Sequence, residues 1–177
     1  MLGGMVRIAR STAAPDAGRP LLYSKTCQQA LRTMERVATI EAANPGAWVP
    51  QARVAEELEI SGPSLGQIVH RLRKAGLLRA RRGPSGGVGL SREPEEITVR
   101  DVVEAIDGTG VSERCLLGLP ACSDKTPCPV HPVWKVVRPM LESRLEESTI
   151  ADLVDAMEKK GAKGKKAPAR KAAARRK

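Results

Sequence analysis

The chain has 177 residues, enough for one compact domain with tails and a small appendage. It holds no Phe, one Tyr and two Trp. Its core must therefore be built from Val, Leu, Ile, Met and Ala, and it lacks the stacking aromatics on which single-strand and RNA-loop binders rely. The net charge of +10 is unevenly spread. Residues 61–92 carry seven basic and no acidic groups, residues 93–158 six basic and fourteen acidic, and residues 159–177 ten basic and no acidic. A polyanion is expected to meet the first and third of these stretches and to avoid the second. The four cysteines are too sparse for a disulfide framework, and no apolar run approaches a signal or membrane-spanning segment. A reducing cytoplasm is the expected compartment.

Residues 1–20 show no period and are rich in Gly, Ala and Pro, which reads as a disordered lead-in. From Ser24, the positions Cys27, Ala30/Leu31, Met34 and Val37/Ala38 recur at helical spacing and end at Asn44-Pro45-Gly46. A short second helix opens at Pro50 and turns Val54, Ala55 and Leu58 inward. Ser61-Gly62-Pro63 then makes a tight turn, with Ser61 suited to cap a third helix over about 63–75. In that helix Leu65, Ile68/Val69 and Leu72 form the expected buried stripe, and Ser64, Gln67, Arg71 and Lys74 the expected outward one. His70 reads as lying beside the buried stripe. Two short strands, 77–80 and 88–90, flank the glycine-rich tip at 83–87. Thr98 with Asp101 opens a helix through Ile106 that Gly108 closes. Residues 109–129 read as a loop. A long helical segment follows from about Pro132 to Met157, interrupted or kinked at Pro139 and restarting at Thr149 with Asp152. The tail at 159–177 has nothing to bury and reads as disordered.

This order of elements is that of a winged helix-turn-helix. Its third helix offers polar side chains to the major groove, where base edges carry a distinguishable pattern. The candidate DNA-binding residues are Ser61, Ser64, Gln67, Arg71 and Lys74 on that helix, with Arg79, Arg81, Arg82, Gly86 and Gly87 on the hairpin. The hairpin glycines would let the backbone approach a phosphate or enter the minor groove. A basic run is more often only a solvated face, but here seven bases and no acids coincide with the full element order. The tip lacks the Lys-Ser/Thr of a P-loop, and a dinucleotide fingerprint fits its spacing badly.

Cys115, Cys122, Cys128 and His131 give C-x6-C-x5-C-x2-H. Three thiolates on one loop can converge on a soft metal centre that a neutral imidazole completes. Structural zinc is a rival, although zinc knuckles usually space their cysteines two to four residues apart. A metal-free thiol switch is another. Cys27 sits on the apolar stripe of the first helix and reads as core.

The segments LYSKTCQQALR at 22–32, LRKAGLLRARRGPSGGVGLSR at 72–92, PEEITVRDVVEAIDG at 94–108 and CPVHPVW at 128–134 resemble the Rrf-two family of winged-helix regulators, with its IscR and NsrR branches. The resemblance covers roughly 21–156. It implies a homodimer whose long C-terminal helix crosses to its partner, binding imperfectly palindromic double-stranded DNA. It also implies an iron–sulfur cluster, 2Fe-2S or 4Fe-4S, on Cys115, Cys122 and Cys128 with His131 as fourth ligand. Gln28, at the position from which a partner's first helix would otherwise supply that ligand, is a poor donor.

The expected fold is mainly α with a small β-hairpin wing. It comprises a lead-in at 1–20, a winged helix-turn-helix at 21–108, a cysteine sensor loop at 109–129, a dimerisation helix at 130–158 and a basic tail at 159–177. The expected function is a cytoplasmic, nucleoid-associated repressor whose operator binding answers to a cluster or thiol state. The alternative is an architectural DNA-coating protein driven by its tail. An enzyme is not expected, since no acid–base constellation accompanies the cysteines.

Overall fold

The computed structural model describes residues 22–83, 85–108, 115–119 and 122–164. The lead-in at 1–20 and the tail beyond Gly164 lie outside them. Helix α1 (Lys25–Ala43) starts at Ser24, whose hydroxyl accepts the Cys27 amide at 2.9 Å. Cys27, Ala30, Met34 and Val37 recur along one face and are fully buried. Burying side chains such as Met34 and Val37 contributes about 1.5–3 kcal/mol each. Helix α2 (Gln51–Leu58) ends on Glu59, a non-glycine residue at φ 55°, which turns the chain sharply toward Ser61.

Helix α3 (Gly62–Lys74) begins with Ser61 as its cap and Pro63 in its first turn, where a missing N–H costs nothing. Leu65, Ile68, Val69 and Leu72 are buried, and the helix packs against α1, α2 and α4 (Val99–Asp107). Gly76, at φ 72°, lets the chain leave α3 for the hairpin.

Strands β1 (Leu78–Arg81) and β2 (Gly87–Leu90) pair antiparallel, with Leu78 opposite Leu90 and Arg81 opposite Gly87. Sequence reasoning missed the hairpin's third partner. Val49 exchanges two backbone hydrogen bonds with Val88, at 2.9 and 2.8 Å. Gly87 makes this approach possible, because a Cβ there would lie 2.4 Å from the Val49 carbonyl oxygen. Gly87→Ala should therefore cost about 1–3 kcal/mol of stability as an overpacked site. The check is a denaturation midpoint, and a value equal to the parent's would mean that residue 49 gives way freely.

Helix α4 carries the expected capping box. Thr98 Oγ1 accepts the Asp101 amide at 3.0 Å, and Asp101 accepts the Thr98 amide at 3.1 Å. Helix α5 (His131–Glu147) runs unbroken through Pro139, so the proline does not interrupt it; the break comes at Ser148. Helix α6 (Ile150–Gly164) opens on the second expected cap, with the Thr149 amide 2.9 Å from the Asp152 carboxylate. It carries helix past residue 158, beyond which the sequence leads one to expect the tail, through Lys159 and Lys160 and on to Gly164. Val99 N donates to Ser148 O at 2.8 Å, and Ile150 N to Ile97 O at 2.9 Å. These bonds bring the chain back to the base of α4, with Ile150 fully buried and α6 against α1. Among the described residues no helix is long and apolar enough to cross a membrane.

Candidate DNA-reading face and cysteine cluster

With Leu65, Ile68, Val69 and Leu72 inward, 100° per residue puts Pro63, Gln67, His70 and Lys74 on the opposite ridge of α3. All four are exposed. Gln67 and Lys74 are where the sequence put them. Ser64 and Arg71 lie on the flank of the ridge, each with a protein partner. Ser64 Oγ is 2.7 Å from Ser61 Oγ, and the Arg71 guanidinium donates to the Ile106 carbonyl in the last turn of α4. His70 belongs on the ridge, not beside the buried stripe. Ser64 and Arg71 are exposed, as the sequence leads one to expect, but nothing local in the sequence marks the Arg71–Ile106 contact.

On the hairpin, Arg79 is fastened rather than free. Its guanidinium lies 3.3 Å from Glu41 Oε1 and 5.1 Å over the Trp48 ring. The other Glu41 oxygen accepts the Leu90 amide at 2.9 Å, which ties the wing to α1. Arg81 and Arg82 are exposed near the tip and pair with no acid among the described residues. Gly86 has an internal reason of its own, since a Cβ there would lie 2.3 Å from the Arg81 carbonyl oxygen.

The other candidate site forms where the cysteine loop meets α5. The Sγ atoms of Cys115, Cys122 and Cys128 all lie within 4.8 Å of one another. Cys115 and Cys128 are 3.6 Å apart, and His131 Nδ1 is 3.2 Å from Cys122 Sγ. A turn closed by the His131 amide on the Cys128 carbonyl, at 3.0 Å, brings the imidazole over the thiols. Burial disfavours the Cys115 thiolate, but the amides of Leu119 and Leu117 outweigh it and hold the pKa below the ordinary thiol value. Cys122 accepts from the Cys128 amide, yet burial and the facing Cys115 and Cys128 push its pKa up. Such a cluster sheds its first proton readily and its second reluctantly until a cation arrives.

Three soft sulfurs and an imidazole nitrogen fit iron or zinc by donor type. Thiolates on one tetrahedral ion, with bonds of about 2.3 Å, sit roughly 3.8 Å apart, close to the spacing seen here. Cys27 is no part of this site. It is wholly buried, and burial with the Asp107 charge pushes its thiol up to about 12.

A helix-turn-helix with a braced wing and a thiol cluster at the foot of a long helix defines a transcriptional regulator of the winged helix-turn-helix class. The pattern of the Rrf2 family, described as iron-dependent transcriptional regulators, matches residues 23–156, and the chain belongs to that family. It is 34% identical over 129 residues to the HTH-type transcriptional regulator IscR of Escherichia coli, spanning 73% of this chain and 77% of that protein. Among solved structures, the IscR of T. potens is 28% identical with a TM-score of 0.58, covering 82% of this chain and 91% of the other. CymR, the global cysteine regulator of B. subtilis, is 25% identical with a TM-score of 0.61, covering 75% and 95%. These relatives are regulators, not enzymes, and none supports an architectural DNA-coating protein.

Proposed function

We propose that the chain is a cytoplasmic, nucleoid-associated homodimeric repressor that reads an imperfect palindrome. Its operator affinity is set by an iron–sulfur cluster, or by the thiol state, at Cys115, Cys122 and Cys128. The observation that carries this reading is the convergence of three thiols and His131 at the start of α5 in a member of an iron-dependent regulator family. A bound cluster would supply a centre that exchanges electrons and is dismantled by oxidants. The chain's own residues do the rest. Cys115, Cys122, Cys128 and His131 hold the group, and His131 is also the first residue of α5, so the ligand set is tied to that helix. Along α5, Val133, Val136, Val137 and Met140 make an exposed apolar stripe suited to a second copy.

In this reading Gln67, His70 and Lys74 face base edges or phosphates. Ser61 and Ser64 meet the backbone at the start of α3, and Arg71 holds α3 against α4. Arg81 and Arg82 bind phosphate or groove, while Arg79, Gly86 and Gly87 give the wing its shape. Selection of duplexes from a random pool should return a palindrome. Gln67→Ala should relax preference at one base pair of each half-site by about 1–3 kcal/mol. The paired change Arg81→Ala and Arg82→Ala should weaken every duplex alike and flatten the salt dependence. Selection that returns no common sequence, or a Gln67 variant with the parent's preference, sinks the reading. The thiol spacing favours a second reading, one tetrahedral zinc ion in the same ligands. Iron, sulfide and zinc analysis of anaerobically isolated protein separates the two.

A further inference from the structure

The cysteine site has an outer partner that the ligand motif does not include. His131 Nε2 lies 3.1 Å from Asp124 Oδ1, on the side of the ring away from Cys122. Lys135, one helical turn along α5, places its Nζ 2.9 Å from both Asp124 oxygens. Asp124 is held in turn by its loop. Ser123 and Thr126 bracket it with paired backbone bonds of 3.3 and 3.1 Å and a hydroxyl contact of 3.1 Å.

A neutral imidazole carries one N–H and one lone pair. A carboxylate can only accept, so the nitrogen facing Asp124 must be the one that donates. The lone pair is then on Nδ1, the atom 3.2 Å from Cys122 Sγ. The reverse tautomer would set a lone pair against the Asp124 carboxylate. We propose that Asp124, braced by Lys135, is the positioning residue that fixes the His131 ring, so that Nδ1 is the nitrogen offered to the metal. This rests on the metal-binding reading above and adds a specific atom and a specific outer residue to it.

A carboxylate 69% exposed beside a lysine is, taken alone, an ordinary surface ion pair of little consequence. What sets this one apart is its second contact. The His131 side chain is only 12% exposed and is gripped between a thiol and the carboxylate, in the chain of contacts by which ligating histidines are usually oriented. Nothing in the sequence around Asp124 marks it for this place.

The test uses the full chain, isolated anaerobically or reloaded with iron and sulfide or with zinc. Asp124→Ala leaves all four ligands in place, so it should still load, but yield metal to a chelator about 10–100-fold more readily. Asp124→Asn, which keeps an acceptor oxygen at nearly the same place, should recover part of that loss. Histidine labelled at one ring nitrogen gives the atom directly, because the chain has only two histidines and His70→Ala identifies the other signal. Magnetic resonance should show Nδ1 of His131 bound to metal in the parent, and a mixture of Nδ1 and Nε2 in Asp124→Ala. A parent bound through Nε2, or an Asp124→Ala protein with unchanged chelator sensitivity and ring signals, overturns the proposal while the metal-binding reading stands. A parent that takes up neither iron nor zinc overturns both.

Discussion

Replacing any one of Cys115, Cys122 or Cys128 by Ala should abolish the visible absorption of anaerobically isolated protein, while Cys27→Ala should leave colour and iron content unchanged. The three sulfurs lie within 4.8 Å of each other, so each can supply one corner of a single site, and His131 Nδ1 is 3.2 Å from Cys122 Sγ. Two thiolates and an imidazole do not complete the ligand set of a cluster, and no other described group of three or more metal-ligating side chains stands in reserve. Cys27 differs in every respect that matters to metal chemistry. It is wholly buried among apolar neighbours in α1, and with its pKa pushed up to about 12 it stays a thiol at neutral pH. A brown parent that stays brown in all three single variants would place the cluster elsewhere. A colourless parent with one zinc per chain would leave the single-ion reading in its place.

The second large effect is expected from α5. Val133, Val136, Val137 and Met140 are spaced i, i+3, i+4 and i+7, which puts them on one face, and Val133, Val136 and Met140 are about two-thirds exposed. In the proposed homodimer this stripe is the seam. Val136→Glu together with Met140→Glu should give a monomer by sedimentation or light scattering, because an apolar interface would have to desolvate two carboxylates per chain. Two half-sites are bound strongly only when tethered, so operator affinity should fall by about 10²–10⁴-fold. The variant should melt close to the parent when both are measured as monomers, since neither side chain enters the core. A variant that remains dimeric would move the interface away from this stripe.

Much of the frame was legible because its signals are local. Ser61, Thr98 with Asp101, and Thr149 with Asp152 are caps formed within four residues, and the buried stripes of α1 and α3 follow from spacing alone. What escaped was carried by contacts between distant positions. Arg71 reaches Ile106 across 35 residues, Arg79 reaches Glu41 across 38, and Val49 pairs with Val88. A basic residue on a helix or wing looks the same in the sequence whether it awaits a phosphate or is already engaged by the protein. Arg71 and Arg79 both have a protein partner in the folded chain, and His70 is exposed on α3 beside Gln67 and Lys74. In the cysteine loop, spacing marked Cys115, Cys122, Cys128 and His131 as candidate ligands, but Asp124 stood out only once the loop's turn brought it beside His131.

The two backbone bonds that join residues 97–99 to 148–150 also have a topological meaning. Between them α4 stays packed on α1 and α3, and the chain runs on through the cysteine loop and α5 before it returns to the same spot. The closure cost of such an excursion grows only logarithmically with its length, at about 0.6 kcal/mol per doubling. Inserting or deleting a residue in the cysteine loop should therefore leave the feet of the excursion and α3 in place. In the proposed function, the arm that senses could change length while the helix-turn-helix it hangs from keeps its shape.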